Sequence, residues 1–276
     1  LRLTGVAGVN YNDRSGYALN SFLYGLSQPN WYSLLNGTDK PLTSSSIYQR
    51  RLFGVLGQFD LSYKDWAFVT LSMRNDWSST LPIGKNSYFY PGVNTSVILT
   101  DAVPSLKENN ILNYMKLRAA WGQTGNDASQ YMTSSVITPT QVALGYGSLY
   151  TPIDGVLGLT EGNRAANQAL RPELTTEVEF GFEAKLLNNR LGVDATYYNK
   201  NTKDQIILAT IAPETRFTSQ ARNIGLVNNQ GVELRVSAVP VKTKDFSWDI
   251  AVTYAKNTSE VKELWEGAKE YVIFSA

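Results

Sequence analysis

The segment Thr176-Glu177-Val178-Glu179-Phe180-Gly181-Phe182-Glu183-Ala184-Lys185-Leu186 changes chemistry at every step. Val178, Phe180, Phe182, Ala184 and Leu186 fall on one face of an extended chain, and Glu177, Glu179, Gly181, Glu183 and Lys185 on the other, because successive side chains of a strand point to opposite sides. After Leu187-Asn188-Asn189-Arg190 the alternation resumes, with Leu191, Val193, Ala195 and Tyr197 against Gly192, Asp194, Thr196 and Tyr198. Asn tolerates the positive φ of a tight turn, so the two segments read as a hairpin. An even loop there sets Glu177 opposite Lys200, an attraction, and Glu183 opposite Asp194, a repulsion that Lys185 or water is expected to relieve.

The same alternation extends outward. Val232, Leu234, Val236 and Ala238 stand against Glu233, Arg235 and Ser237, and Trp248, Ile250, Val252 and Tyr254 against Asp249, Ala251 and Thr253. Further strands are expected near Leu3–Tyr11, Ile47–Ser62, Trp66–Trp77, Phe89–Leu99 and Tyr114–Thr124, nine in all. For Val236 and Ala238 to share a face with Trp248 and Ile250, opposed residues need numbers of equal parity. That predicts an odd loop, Thr243-Lys244-Asp245 or one of five residues, since a two-residue Lys244-Asp245 turn would pair Val241 with Trp248 and break the pattern.

Connection lengths alternate as well. Tyr63–Asp65, Leu187–Arg190 and Val241–Asp245 are short and Thr100–Asn113 is intermediate, whereas Asn12–Ser46, Asn126–Thr175 and Lys203–Gln230 are long and Ser78–Tyr88 is modest. Short turns at one end of the strands and long loops at the other characterise transmembrane barrels. Several strands also reach the roughly 9 to 11 residues that a membrane crossing requires. A soluble β-sandwich, such as a carbohydrate-binding domain, is the alternative, but its loop lengths need not keep parity with strand number. The fold expected is therefore all-β, an antiparallel up-and-down transmembrane barrel segment. Val178, Phe180, Phe182, Val232, Leu234, Val236, Ile250 and Val252 should face lipid, and Glu179, Glu183, Glu233, Arg235 and Asp249 the lumen.

Composition narrows the function. The 276 residues carry 25 Lys and Arg against 24 Asp and Glu, a balance that offers nucleic acid no basic field. There is no Cys and no His, which removes thiolate zinc sites, disulfides and most nucleophile-base pairs. No apolar run approaches the roughly 20 residues of a spanning helix, and Leu1–Asn10 lacks the basic and apolar regions of a signal peptide. Glu177, Glu179 and Glu183 read as a solvated lumen face, without the carboxylate-glycine loop of a Ca2+ site. Gly145-Tyr146-Gly147 lacks the third glycine of a dinucleotide fingerprint. No enzyme, cofactor or metal is expected.

Local motifs sharpen the class. Leu170-Arg171-Pro172-Glu173, Thr175-Thr176-Glu177 and Phe180-Gly181 resemble the opening of a barrel strand in TonB-dependent receptors. Tyr197-Tyr198-Asn199-Lys200-Asn201-Thr202-Lys203-Asp204, Asn229-Gln230-Gly231-Val232-Glu233-Leu234 and Lys244-Asp245-Phe246-Ser247-Trp248 follow in the order and spacing of SusC-like proteins, as does Leu117-Arg118-Ala119-Ala120-Trp121-Gly122-Gln123-Thr124-Gly125-Asn126. The chain thus resembles the SusC/RagA family of TonB-linked outer-membrane proteins, most strongly over Tyr114–Leu264. The resemblance implies a bacterial outer-membrane location and active import of bulky nutrients such as glycan or oligopeptide fragments. It implies a barrel of about 22 strands, of which this chain supplies nine. It further implies a plug domain and a TonB box in an upstream segment absent here, and a SusD-like surface lipoprotein as partner. Phe274-Ser275-Ala276 does not resemble the terminal aromatic strand of a barrel, so an internal piece of a longer protein is expected.

Trp66, Trp77, Tyr197, Trp248 and Tyr254 lie at or near expected strand ends, where amphipathic rings favour the headgroup level, and are the aromatic girdle candidates. Trp31, Tyr32, Tyr146 and Tyr150, in loops rich in Asn, Gln, Gly and Ser, are the candidates for ligand or partner contact.

Overall fold

A computed structural model describes residues 1–263 apart from Lys40, Lys107, Asn109, Asn110, Thr140, Gly145 and Tyr146, with backbone only for 141–144, 147–150 and Pro213. Among these, nine long strands form one antiparallel meander: β1 (Arg2–Phe22), β2 (Leu42–Tyr63), β3 (Ala67–Ser78), β4 (Ser87–Ile98), β5 (Leu112–Asn126), β11 (Glu173–Leu186), β12 (Leu191–Thr210), β13 (Ser219–Lys242) and β14 (Ser247–Glu263). Five short strands lie between β5 and β11: β6 (Ile137–Pro139), β7 (Gln141–Leu144), β8 (Gly147–Tyr150), β9 (Leu159–Glu161) and β10 (Arg164–Ala165). Of these, β10 joins the main sheet, pairing in parallel with the outer end of β13 and making ten strands. The sheet curls into half a barrel. It has no second layer among the described residues, so the sandwich alternative is set aside.

Two loops are much shorter than the sequence suggests. β1 runs on to Phe22 and β2 starts at Leu42, in unbroken register from Arg2↔Ser62 to Phe22↔Leu42, where a loop from Asn12 to Ser46 was expected. β12 likewise continues to Thr210 and β13 begins at Ser219, inside the expected loop Lys203–Gln230. The cause is solvent. Beyond the membrane both faces of a strand meet water, so Asn12-Asp13-Arg14-Ser15-Gly16 and Ser44-Ser45-Ser46 carry no apolar alternation although they pair.

The Leu187–Arg190 hairpin is even, with Leu187, Asn188 and Asn189 all at positive φ and Leu186 paired to Leu191. It places Glu177 opposite Lys200 and Glu183 opposite Asp194. The β13–β14 hairpin departs from expectation. Its turn is even, with Lys242 opposite Ser247 and Val241 opposite Trp248, and Thr243 N–H donates to Phe246 O at 2.8 Å. The facing pattern nevertheless survives, because the register shifts by one between Ala238↔Ile250 and Val241↔Trp248. Val239 and Pro240 together oppose Asp249, a bulge of the kind to which strand prolines are confined.

Candidate functional site: a two-faced wall and its outer rim

Pairing and alternation fix the two faces. One carries Leu61, Leu71, Val93, Leu117, Phe180, Ala195 and Leu234, and the other Asp60, Thr70, Asn94, Arg118, Glu179, Thr196 and Glu233. The lipid-facing and lumenal sets expected from the sequence stand on opposite sides. On the apolar side large side chains are exposed in quantity, Phe180 by 54%, Val252 by 62% and Val9 by 74%. A surface so continuous is matched to hydrocarbon, since soluble proteins rarely expose apolar patches beyond a few hundred Å2.

The polar side is the concave one and holds a hollow of about 550 Å3 lined by Glu177, Thr196, Lys200 and Glu233. Arg118 on β5 reaches across β11 to Asp194 on β12, donating from Nη2 at 2.8 Å and Nη1 at 3.2 Å, with Glu179 at 3.6 Å and Thr196 also in contact. The like-charged pair Glu183 and Asp194 is relieved from both ends, Asp194 by Arg118 and Glu183 by Lys185 at 3.6 Å. Lys200 lies 3.9 Å from Glu177.

Of the girdle candidates, Trp66, Trp77 and Trp248 lie at strand ends or in turns, whereas Tyr197 and Tyr254 lie within β12 and β14, which run past the ends expected from the sequence. Tyr197 and Tyr254 are the last aromatic or aliphatic side chains of their rows before Asn199 and Lys256, and Trp77 pairs with Phe53 at the outer end of β3, ring centroids 5.5 Å apart. Trp66, in the β2–β3 turn, meets Tyr63 edge-on at 5.5 Å, and Trp248 stands beside the β13–β14 turn. Trp31 and Tyr32 are exposed by 60% and 84% at the tip of the β1–β2 loop. Buried Asn36 fixes that tip: its Nδ2 donates to Gln28 O and Trp31 O at 2.8 and 2.7 Å, and its Oδ1 accepts from Gln28 N–H at 3.0 Å. Tyr150 lies in β8, paired with Gln141 in the β7–β8 hairpin. Tyr146 is outside the described residues, so the structure does not join these four into one site.

The rim was not legible in the sequence. Connection 127–172 leaves β5 and returns to β11, fastened at both ends. At its start Asp127 accepts from Arg50 Nε at 2.9 Å and Thr80 Oγ1 at 2.9 Å, and from Ser78. Burial alone would push this carboxyl up, but the hydrogen bonds from Arg50, Ser78 and Thr80 and the Arg50 charge hold it below its ordinary value. At its finish Leu170 is fully buried among Leu81, Tyr88, Ala128 and Ala221. Asn223 next to it accepts from Arg171 N–H at 2.8 Å and donates to Arg171 O at 2.7 Å. Tyr88 and Tyr90 belong to the polar face, stacked at 5.9 Å, so the connection packs on the lumenal side of the rim.

A curled wall, apolar outside and charged inside, with short turns at one end, has few relatives among folds. The family profile described as "TonB dependent receptor-like, beta-barrel" matches residues 1–271. The chain belongs to the TonB-dependent receptor β-barrel family. It is part of the wall of such an outer-membrane receptor barrel. The receptor barrel is 26% identical over 269 residues to TonB-dependent receptor P26 of Formosa agariphila, covering 95% of this chain and 26% of that protein. It is 29% identical over 238 residues to TonB-dependent receptor SusC of Bacteroides thetaiotaomicron, covering 83% and 23% respectively. The fold of the RagAB peptide transporter superposes with a TM-score of 0.82 at 22% identity over 98% of this chain and 29% of that one. This chain therefore spans about a quarter of the length of the curated relatives it matches.

Proposed function

We propose that this chain is the wall and outer loops of an importer that carries bulky nutrients, glycan or oligopeptide fragments, through the outer membrane. The remaining strands and the plug come from elsewhere in the full-length protein, since unpaired strand edges are not tolerated in hydrocarbon. Energy arrives from TonB through an upstream segment, and a SusD-like lipoprotein covers the outer mouth. The chain performs no chemistry itself. The similarity to SusC and to the RagAB peptide transporter supports this reading.

The observation that carries it is connection 127–172, clasped to the lumenal rim through Asp127 and Leu170 while its middle exposes Ile137, Val156, Leu157 and Leu159. Anchored ends with an apolar, solvent-facing middle suit contact with a ligand or lid. Trp31, Tyr32, Tyr146 and Tyr150 are assigned to the same outer contacts, and Trp66, Trp77, Tyr197, Trp248 and Tyr254 to the two headgroup levels. The test is to excise residues 134–162 from the full-length protein, leaving both clasps. Barrel insertion should persist, while lipoprotein capture and growth on a glycan or oligopeptide that requires the intact gene should fall. Unchanged capture and growth would remove the loop from the importer, and failure of the intact protein to reach the outer membrane would end the larger reading.

A further inference from the structure

Several long side chains on the lumenal face do not stand up from the wall; they lie across it, each over a glycine. Arg118 passes over Gly181, its direct partner across β5 and β11. A Cβ added at Gly181 would stand 2.5 Å from Arg118 Nε, 2.8 Å from Cζ and 3.0 Å from Cγ, contacts that only a displaced side chain can relieve. Tyr198 lies over its partner Gly231 to meet Asn257 at 3.3 Å, and a Cβ there would stand 2.6 Å from the hydroxyl. The same arrangement recurs with Tyr48 over Gly16, Asp76 and Arg74 over Gly54, and Tyr88 over Gly125. These five beds occur on five different strand pairs, and four of them, all but Gly125, lie on the polar face, so they are a property of the wall and not of one contact.

We propose that these glycines set the clearance of the lumen and are size-determining positions for what passes along this wall. A guanidinium or phenol standing upright reaches about 6 to 7 Å from its Cα, a length set by its bond geometry, whereas one lying in a glycine bed occupies little more than the thickness of a side-chain layer. Flattening keeps the hydrogen-bonding and ionic surface while leaving the space above it open. The inference rests on the import reading, because clearance matters only where something must pass.

This chain contributes no cysteine, and with any cysteine elsewhere in the full-length protein replaced by Ser a single-site measurement can be made. Ser96, the lumenal partner of Arg118 across β4 and β5, is replaced by Cys in the full-length protein. Its alkylation is followed with maleimides of increasing bulk, each rate divided by that of N-ethylmaleimide. Adding Gly181→Ala should lift Arg118 and move the cut-off to smaller reagents, with a several-fold loss of relative rate at the original cut-off. Adding Arg118→Ala to that variant should restore it. Arg118→Ala by itself should leave the cut-off where it was, because a flat side chain obstructs nothing. A cut-off unmoved by Gly181→Ala, or widened by Arg118→Ala alone, overturns the proposal, and the second variant decides even if the first does not assemble. Loss of nutrient uptake plays no part in this readout, so a failure of the import reading would show separately.

Discussion

The membrane wall and the outer rim of this receptor barrel are built on opposite terms. In the wall a single sheet meets lipid on one side and the lumen on the other, and side chains such as Phe180 and Val252 stay largely uncovered. At the rim Leu170 and Asp127 are enclosed by residues from β2, β4, β13 and the β3–β4 loop, as in a small soluble core. In the wall, stability rests on the backbone ladder and each face need only match its surroundings. At the rim, it rests on particular side-chain contacts. Substitutions should therefore be felt by environment in the wall and by partner at the rim.

The largest effect is expected at Leu170. Truncation to Ala should cost about 2 to 5 kcal/mol of local stability, the range for emptying a packed site. It should free connection 127–172 to protease on intact cells while heat-resistant barrel mobility on gels stays unchanged. Collapse of the whole barrel would erase the distinction between the two regions.

Next comes charge on the lipid face. Phe182→Arg should cost about 2 to 4 kcal/mol if the site is near the bilayer midplane, against nearly nothing for Glu233→Gln on the lumenal face. Urea unfolding in lipid vesicles measures both, and equal costs would show that the faces are not solvated differently.

Asp127 gives the rim a pH dependence. Its carboxyl is held below its ordinary value, so the clasp contributes fully above the unfolded value, about 3.9, and is lost as pH falls through the lower folded value. Protease release of the connection should rise only in strong acid. Asp127→Asn should release it already at neutral pH and flatten that profile, since Arg50 is left without its partner. The smallest effect belongs to the exposed pair Arg51 and Asp13, 3.1 Å apart on the strand extensions, where Arg51→Ala should cost under about 1 kcal/mol by the same urea series.

The same contrast explains what the sequence could reveal. Alternation exists where lipid and water flank one strand, so Thr176–Leu186, the nine strands and both faces were readable from residue order alone. Once a strand clears the membrane the signal vanishes, and Asn12–Phe22 and Asn257–Glu263 passed for loop or were missed although both pair. Leu170 stood within a recognised motif, but burial in an aperiodic connection leaves no periodic mark. The reach of Arg118 to Asp194 depends on three strands and on Gly181, a coincidence visible only in register. Pro240 was a readable warning of the bulge, because a proline within a strand has few other places to sit.

That bulge has a consequence for how such a chain can change. The even turn at 243–246 and the extra residue at Val239-Pro240 are two offsets of opposite sense, and the wall beyond them is in phase with both present. Removing Pro240 should dissolve the bulge while Val241↔Trp248 and Ala238↔Ile250 stay paired, and one residue added to the turn should only lengthen it, so Ile250, Val252 and Tyr254 should face lipid after either edit. Lineages of this wall can therefore gain or lose a residue in the turn or the bulge without turning the strand over, provided Ala238 and Ile250 stay paired.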